Sequence, residues 1–270
     1  MKNFRINFKL KNISDIEPWS DTIHWYALTD GTLYIQVGNR KIYEYSDFAR
    51  DFFKCDIKYN DYYLERFVLD FMWIFRFIRE PIPKILYENI DKFEDLTDVW
   101  KNIYENKSDD IFDEFYFGEY SSLTEWYYMQ HTFDSSHLVG GQRIGFFRYG
   151  DKIKILWKSY DNAVLENDKN IWTSPNGVHE ISWNDFTEEV EDFYWKFRQE
   201  MDSRTEYIYK NGLTHAQTDR EILLHSNCNN LTSFRHNLDL LFSDDYEKTD
   251  FNYILALYEK MRSEINEQEL

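Results

Sequence analysis

The sequence has few of the residues that interrupt or cross-link a chain. Its 270 residues include only 2 cysteines, 4 prolines and 9 glycines. Cys55 and Cys228 are far apart and lack a metal-binding spacing, so we expect two reduced thiols in a cytoplasmic protein. Residues 1–8 alternate polar and apolar side chains, which is not the pattern of a secretory signal.

A long hydrophobic run is also missing. The most apolar stretch, residues 67–78, is interrupted by Asp70 and Arg76, whereas a membrane-spanning helix needs roughly 20 apolar residues. We therefore expect this stretch to form a helix of the protein core, and we expect no association with a membrane.

No stretch rich in proline, glycine and serine divides the chain. The nearest candidate boundary is a polar, acidic stretch, residues 105–118. We expect a single α+β domain over residues 1–270, in which this stretch is a surface excursion between two possible sub-units, 1–107 and 119–270.

Basic residues are outnumbered, because 49 Asp and Glu face 31 Lys and Arg and give a formal net charge of −18. Direct binding of nucleic acid needs a basic surface that neutralises phosphates, and docking on anionic lipid needs basic residues as well. The charge therefore argues against both and favours a basic protein as the partner.

Hydrophobic residues, by contrast, make up 43% of the chain and aromatic residues 19%. This composition can bury a large core. Strand patterns open the first half: residues 5–10 alternate, residues 22–28 are aromatic and β-branched, and residues 32–37 and 41–45 flank the tight turn Gly38-Asn39.

The second half contains two further hairpin patterns. Residues 143–149 and 152–158 flank Gly150-Asp151, and residues 171–173 and 178–183 flank a four-residue turn. Both patterns combine β-forming runs with turn residues, so they predict antiparallel pairs.

Helical periodicity follows the strands in each half. It covers residues 61–78, about 84–104, about 185–209 with Ser182 or Asn184 as N-cap, and 218–265. The sequence therefore predicts an α+β fold, in which one or two antiparallel sheets of hairpins are covered by amphipathic helices and the C-terminus is helical.

No motif indicates a catalytic chemistry. The sequence has no G-x-S-x-G, and Ser136 beside His137 is a chance-level pair. The histidines lack metal-ligand spacing. Gly140-Gly141 precedes a strand rather than opening a helix, so it lacks the helix N-terminus that binds phosphate. We expect no enzyme activity, no metal and no cofactor.

The acidic tracts are the strongest functional signal. Residues 188–192 lie at the start of the long predicted helix, where the helix dipole explains them. Residues 109–119 have no such local explanation, and acids there alternate with aromatic residues, as in an interface for a cationic partner. The predicted partner-binding residues are Asp109, Asp110, Asp113, Glu114, Phe115, Tyr116 and Glu119.

Two stretches resemble an uncharacterised bacterial family, catalogued as a domain of unknown function. They are W-S-D-T-I-H-W-Y-A-L-T-D-G at residues 19–31 and S-H-L-V-G-G-Q-R-I at 136–144, followed by F-R-Y-G-D at 147–151 and by Met201 and Arg204. The resemblance spans about residues 4–208. It implies an accessory protein encoded near toxin genes with an immunity or antitoxin-like role, and no catalytic residue can be carried over from the family.

The polar and turn residues within these stretches are interpreted as architectural. They are His24, Asp30, Gly31, Arg143 and Asp151. Asp151 belongs to the second hairpin turn, and we expect His24 and Arg143 to be buried and paired.

The expected function is that of a cytoplasmic protein-interaction module. It would be an immunity or antitoxin-like protein that neutralises a basic toxin domain by electrostatic attraction and steric occlusion. One alternative is an enzyme or small-ligand-binding protein with an aromatic-lined pocket between sheet and helices. A further alternative is a nucleic-acid mimic, whose carboxylates are spaced like phosphates.

Overall fold

In the computed structural model of the chain, the described residues are 3–133, 135, 137–138, 141–160, 163–164, 169–243 and 248–268. They form two antiparallel sheets and a set of helices that cover them, which confirms the predicted α+β class. Over the same residues, no helix has the length and apolar character needed to cross a membrane.

The first sheet is built around one central strand. Its strands are β1 (Phe4–Leu10), β2 (Asp30–Val37), β3 (Arg40–Ile42) and β4 (Asn60–Tyr63). β1 pairs with β2 along its whole length, while β3 and β4 share the opposite edge of β2, one at each end. The predicted turn at Gly38 joins β2 to β3, and its φ of +60° is readily adopted by glycine.

The second sheet has the order β5 (Gln142–Tyr149), β6 (Lys152–Ser159), β7 (Asn176–Ser182). The predicted turn at Gly150 joins β5 to β6. The predicted hairpin between residues 171–173 and 178–183 was wrong, because β7 pairs with β6 and Trp172 instead bridges to Tyr45 beside the first sheet. The Trp172 ring stacks on Tyr45 with the ring centroids 4.9 Å apart. This contact between residues far apart in sequence outweighs pairing with residues close in sequence.

The strand predicted over residues 22–28 was also wrong. Residues Trp25–Thr29 form a short 3-10 helix, in which Trp25 and Leu28 are buried. Their three-residue spacing fits a helical turn, and the indole N–H of Trp25 donates to Asn227 Oδ1 at 2.8 Å. This tertiary contact overrides the β propensity of the run.

Helices cover the four predicted periodic segments, whereas the helices at residues 47–53, 109–115 and 121–131 were not predicted. In chain order the helices are α1 (Asp47–Phe53), α2 (Leu64–Ile78), α3 (Lys84–Asn89), α4 (Phe93–Glu105), α5 (Asp109–Phe115), α6 (Ser121–His131), α7 (Trp183–Asn211), α8 (Arg220–Asp239) and α9 (Phe251–Gln268). The hydroxyl of Ser182 caps α7 by accepting from the N–H of Asp185 at 3.0 Å. Of the two predicted N-cap residues, Ser182 is therefore the one that the structure confirms.

Two hydrophobic clusters lie on opposite faces of the second sheet. The first cluster joins the first sheet, α2, α7 and α8 to Ile144, Phe146 and Ile155. The second joins α3, α4, α5, α6 and α9 to Phe147 and Leu156. The second sheet is therefore a shared wall between the two clusters, since its strands bury side chains on both faces.

The predicted surface excursion at residues 105–118 is largely helical. α5 continues through a π-helical turn, Tyr116–Tyr120, into α6. Asp109 and Asp110 lie in the first turn of α5, where the helix dipole favours acids. The expectation that this tract lacks a local explanation was therefore wrong for these two residues.

Candidate functional site

The carboxylates of α5 are accessible to a partner. The side chains of Asp109, Asp110, Asp113 and Glu114 are exposed. Over the part of the chain that the structure describes, none of the four forms an ion pair with Lys or Arg. Their charges are therefore available to a partner.

Phe115, predicted to contact the partner, belongs to the core. It is 3% exposed and stacks on Tyr104 with ring centroids 3.7 Å apart. The reason is helical register: α5 turns Phe115 toward α4 and turns the acidic residues away from it. Phe115 is therefore a core residue, and its ring is not accessible to a partner.

Two other predicted contact residues are partly engaged within the chain. Tyr116 is half-buried and stacks on Tyr120 at 5.3 Å. Glu119 forms an ion pair with Lys260 of α9, whose Nζ lies 2.5 Å from Oε2. These residues hold the π-helical turn against its neighbours.

The exposed aromatic residue of this segment is Phe117, which was not among the predicted contact residues. Its side chain is 75% exposed. Asp110, Asp113, Glu114 and Phe117 follow the i, i+3, i+4, i+7 spacing of a helical face, so helical periodicity could have separated Phe117 from Phe115. We call Asp109, Asp110, Asp113, Glu114 and Phe117 the α5 ridge.

A second candidate site is a cleft of about 450 Å³. It lies between the start of α4, the side of α6 and the face of the second sheet that carries Arg143, Leu156 and Lys158. Its volume is in the range of small-ligand sites. The sequence predicts a helix over this part of α4 but indicates no function for it.

Glu94 is the most buried acid of the cleft. Its carboxylate accepts from Arg143 Nη1 at 3.0 Å and from the hydroxyl of Tyr127 at 3.2 Å. Lys158 Nζ lies 3.6 Å from its other oxygen. With three donors around it, Glu94 links α4 to the sheet and to α6.

Arg143 is paired, as expected, but it is only half-buried. Its guanidinium lies over the rings of Tyr128 and Tyr160, at 4.3 and 5.0 Å from their centroids. Burial works to lower the pKa of Arg143, but Glu94 and the two tyrosines raise it above its usual value. The guanidinium therefore stays charged and fixed in orientation.

The rim of the cleft is acidic. Lys158 Nζ lies 2.9 Å from Asp95 Oδ1, and Asp91 lines the same cleft. Burial raises the pKa of nearby Asp98, and the charges of Glu94 and Asp95 raise it further against the opposing effect of Lys158. Negative charge is thus in excess at this rim.

The remaining motif residues have backbone or pairing roles. Asp30 pairs with Lys11 at 2.7 Å, and a Cβ on Gly31 would lie 2.4 Å from the carbonyl oxygen of Lys9. The carbonyl of Asp151 accepts from the N–H of Trp183 at 2.7 Å. These contacts fix the strand pair β1–β2 and the entry to α7.

The expectation that His24 is buried and paired was wrong, since its side chain is exposed. Its backbone carbonyl accepts from the N–H of Ala27 and starts the 3-10 helix. The buried charged residue near this stretch is Arg204, whose guanidinium donates to the carbonyl oxygens of Leu28 and Lys11. Arg204 therefore ties α7 to the first motif stretch.

Within the described ranges, no group of three or more His, Cys, Asp or Glu side chains is arranged to hold a metal ion. Cys55 is half-buried, Cys228 is exposed, and both are free thiols. Ser136 and Gly140 lie outside the described residues.

The chain belongs to a family of unknown function, DUF5984, whose model matches residues 5–256. This confirms the expected membership of a domain-of-unknown-function family and extends the match from about residue 208 into α9. Comparison with curated proteins and with solved structures gives no match.

Proposed function

We propose that this DUF5984 member is a protein-binding module that neutralises a basic partner, as an immunity or antitoxin-like protein neutralises a bacterial toxin domain. The α5 ridge carries the proposal. It combines exposed carboxylates with one exposed aromatic side chain, and Asp110, Asp113, Glu114 and Phe117 share one helical face.

The carboxylates would attract the partner and select for its charge. Asp110, Asp113 and Glu114 form no ion pair among the residues that the structure describes, so binding a Lys or Arg would not require an internal ion pair to break. Opposite charges accelerate encounter and disfavour acidic partners.

Phe117 would supply the apolar contact. Interfaces draw most of their binding energy from a few buried anchors, and aromatic residues are frequent among them. The π-helical turn presents Phe117 next to Gly118, where a Cβ would meet no atom within 4 Å. Such turns within helices are often found at functional sites.

The test is to purify the product of the adjacent gene and to measure its affinity for this chain. We expect Phe117→Ala to weaken binding by about tenfold or more. The quadruple variant D109N/D110N/D113N/E114Q should weaken binding and flatten its salt dependence. Ile222→Ala is the control, because Ile222 is an exposed apolar residue of α8.

Two results would count against the proposal. One is that the adjacent gene product does not bind. The other is that it binds the wild-type chain, Phe117→Ala and the quadruple variant equally well at high salt.

Ligand binding is the second candidate function. The cleft beside Glu94 supports it, because the cleft lies between a sheet and helices and contains converging polar groups. A shift of the unfolding temperature with a panel of small molecules would favour this alternative.

A further inference from the structure

The cations of the cleft are already neutralised. Arg143 pairs with Glu94, and Lys158 pairs with Asp95 and approaches Glu94. An anionic ligand would have to displace one of these carboxylates from its partner. It would also lie beside the remaining acids of the rim.

The carboxylates of the rim, in contrast, retain capacity for a cation. Asp91 has no ion-pair partner in the described part of the chain. Asp95 binds Lys158 through one oxygen, while its side chain remains 75% exposed. A positive charge placed between them would find free acceptors without breaking an internal pair.

The floor of the cleft suits an aliphatic chain. Leu156 and Val178 lie opposite each other on β6 and β7, and both line the cleft. Lys and Arg side chains place their methylene groups on apolar surface and their charge in a polar rim. The cleft offers this combination.

We infer that the cleft is a binding site for a Lys or Arg side chain, with Asp91 and Asp95 as its acceptors and Leu156 and Val178 as its apolar floor. The identification of this side chain with one from a basic partner protein rests on the proposed function. The cation-binding chemistry of the cleft does not depend on it.

The experiment needs no partner protein. N-acetyl-L-arginine amide is titrated into the intact chain at low salt, and the shifts of backbone NMR signals around Asp91 and Val178 are followed. N-acetyl-L-citrulline amide has nearly the same shape without the charge, and N-acetyl-L-glutamate amide has the opposite charge. We expect saturable shifts with the arginine probe only.

Three variants locate the site. Asp91→Asn should weaken binding of the arginine probe about threefold or more, in the range of a single ion pair. Asp110→Asn removes the same charge from the α5 ridge and should leave binding unchanged. Lys158→Met frees Asp95 and should strengthen binding, an effect that damage to the fold would not produce.

Several results would overturn the inference. They are equal binding of the citrulline probe, preferred binding of the glutamate probe, or arginine binding that Asp91→Asn and Lys158→Met do not alter. Because the adjacent gene product is absent from this experiment, failure here is distinct from failure of the α5 ridge as an interface.

Discussion

The acidic tract of α5 and the acidic tract at the start of α7 differ in what their carboxylates contact. In α7, Glu189 is buried, Glu191 pairs with Arg235 of α8 at 3.1 Å, and Asp192 pairs with Lys196 at 2.5 Å. In α5, the four carboxylates of the ridge point to solvent, and among the described residues none is paired with Lys or Arg.

The cause of this difference is the packing around each helix. α7 packs against α8 and the first sheet, which bring Arg235 and backbone donors to its acids. α5 packs through Phe115 against α4, and the side chains of Asp109, Asp110, Asp113 and Glu114 are exposed. A run of acids therefore indicates a partner surface only where the fold leaves it without internal cations.

The largest expected effect separates the two phenylalanines of the α5 segment. Phe115→Ala should lower the free energy of unfolding by about 3–5 kcal/mol, because it removes a buried ring from a packed cluster. Phe117→Ala should leave stability within about 0.5 kcal/mol of wild type, since its ring is exposed. Urea denaturation monitored by circular dichroism measures both, and equal losses would contradict the assignment of core and surface.

A pH titration tests whether the core around α6 controls acid stability. Burial lowers the pKa of His131 to about 4, against the raising effect of the Trp126 carbonyl. Between pH 6.5 and 4 only the unfolded chain takes up this proton. This one group should therefore reduce stability by up to about 3 kcal/mol as the pH falls through that window.

The matched variant for this titration is His131→Gln, whose side-chain amide can also donate to a carbonyl oxygen. Between pH 6.5 and 4, the free energy of unfolding of this variant should decrease less than that of the wild type. If the variant declines as steeply as the wild type, His131 does not control acid stability. The carboxylates of the two tracts would then be tested next.

The smallest effect compares one acid from each tract. Glu189 is buried and accepts from the N–H of Ile6 at 3.1 Å, so Glu189→Ala leaves a buried donor without its partner and should cost about 1–3 kcal/mol. Asp113→Ala should change stability by less than about 0.5 kcal/mol. Equal effects in thermal denaturation would remove the distinction between the tracts.

Much of the fold could be predicted because the signals are local. Gly38 and Gly150 mark the two hairpin turns, and the periodic apolar residues of α2 and α7 define their buried faces. The failures occur where distant contacts dominate. Trp25 and Trp172 have β propensity, but each is placed by a contact with a residue far along the chain.

The candidate sites were less predictable. The acidity of residues 109–119 was visible in the sequence, but the separation of Phe115 from Phe117 required the helical register of α5. Nothing near Glu94 in sequence indicates that it meets Arg143, 49 residues later. The cleft exists because α4 and α6 pack on the second sheet.

The sequence by itself determined the α+β class, the positions of two hairpins and the excess of negative charge, because these depend on composition or on neighbours within a few residues. Only the tertiary structure decided which carboxylates remain unpaired and where a cleft opens. Both depend on which helices and strands come into contact, and the partners in those contacts lie tens of residues apart.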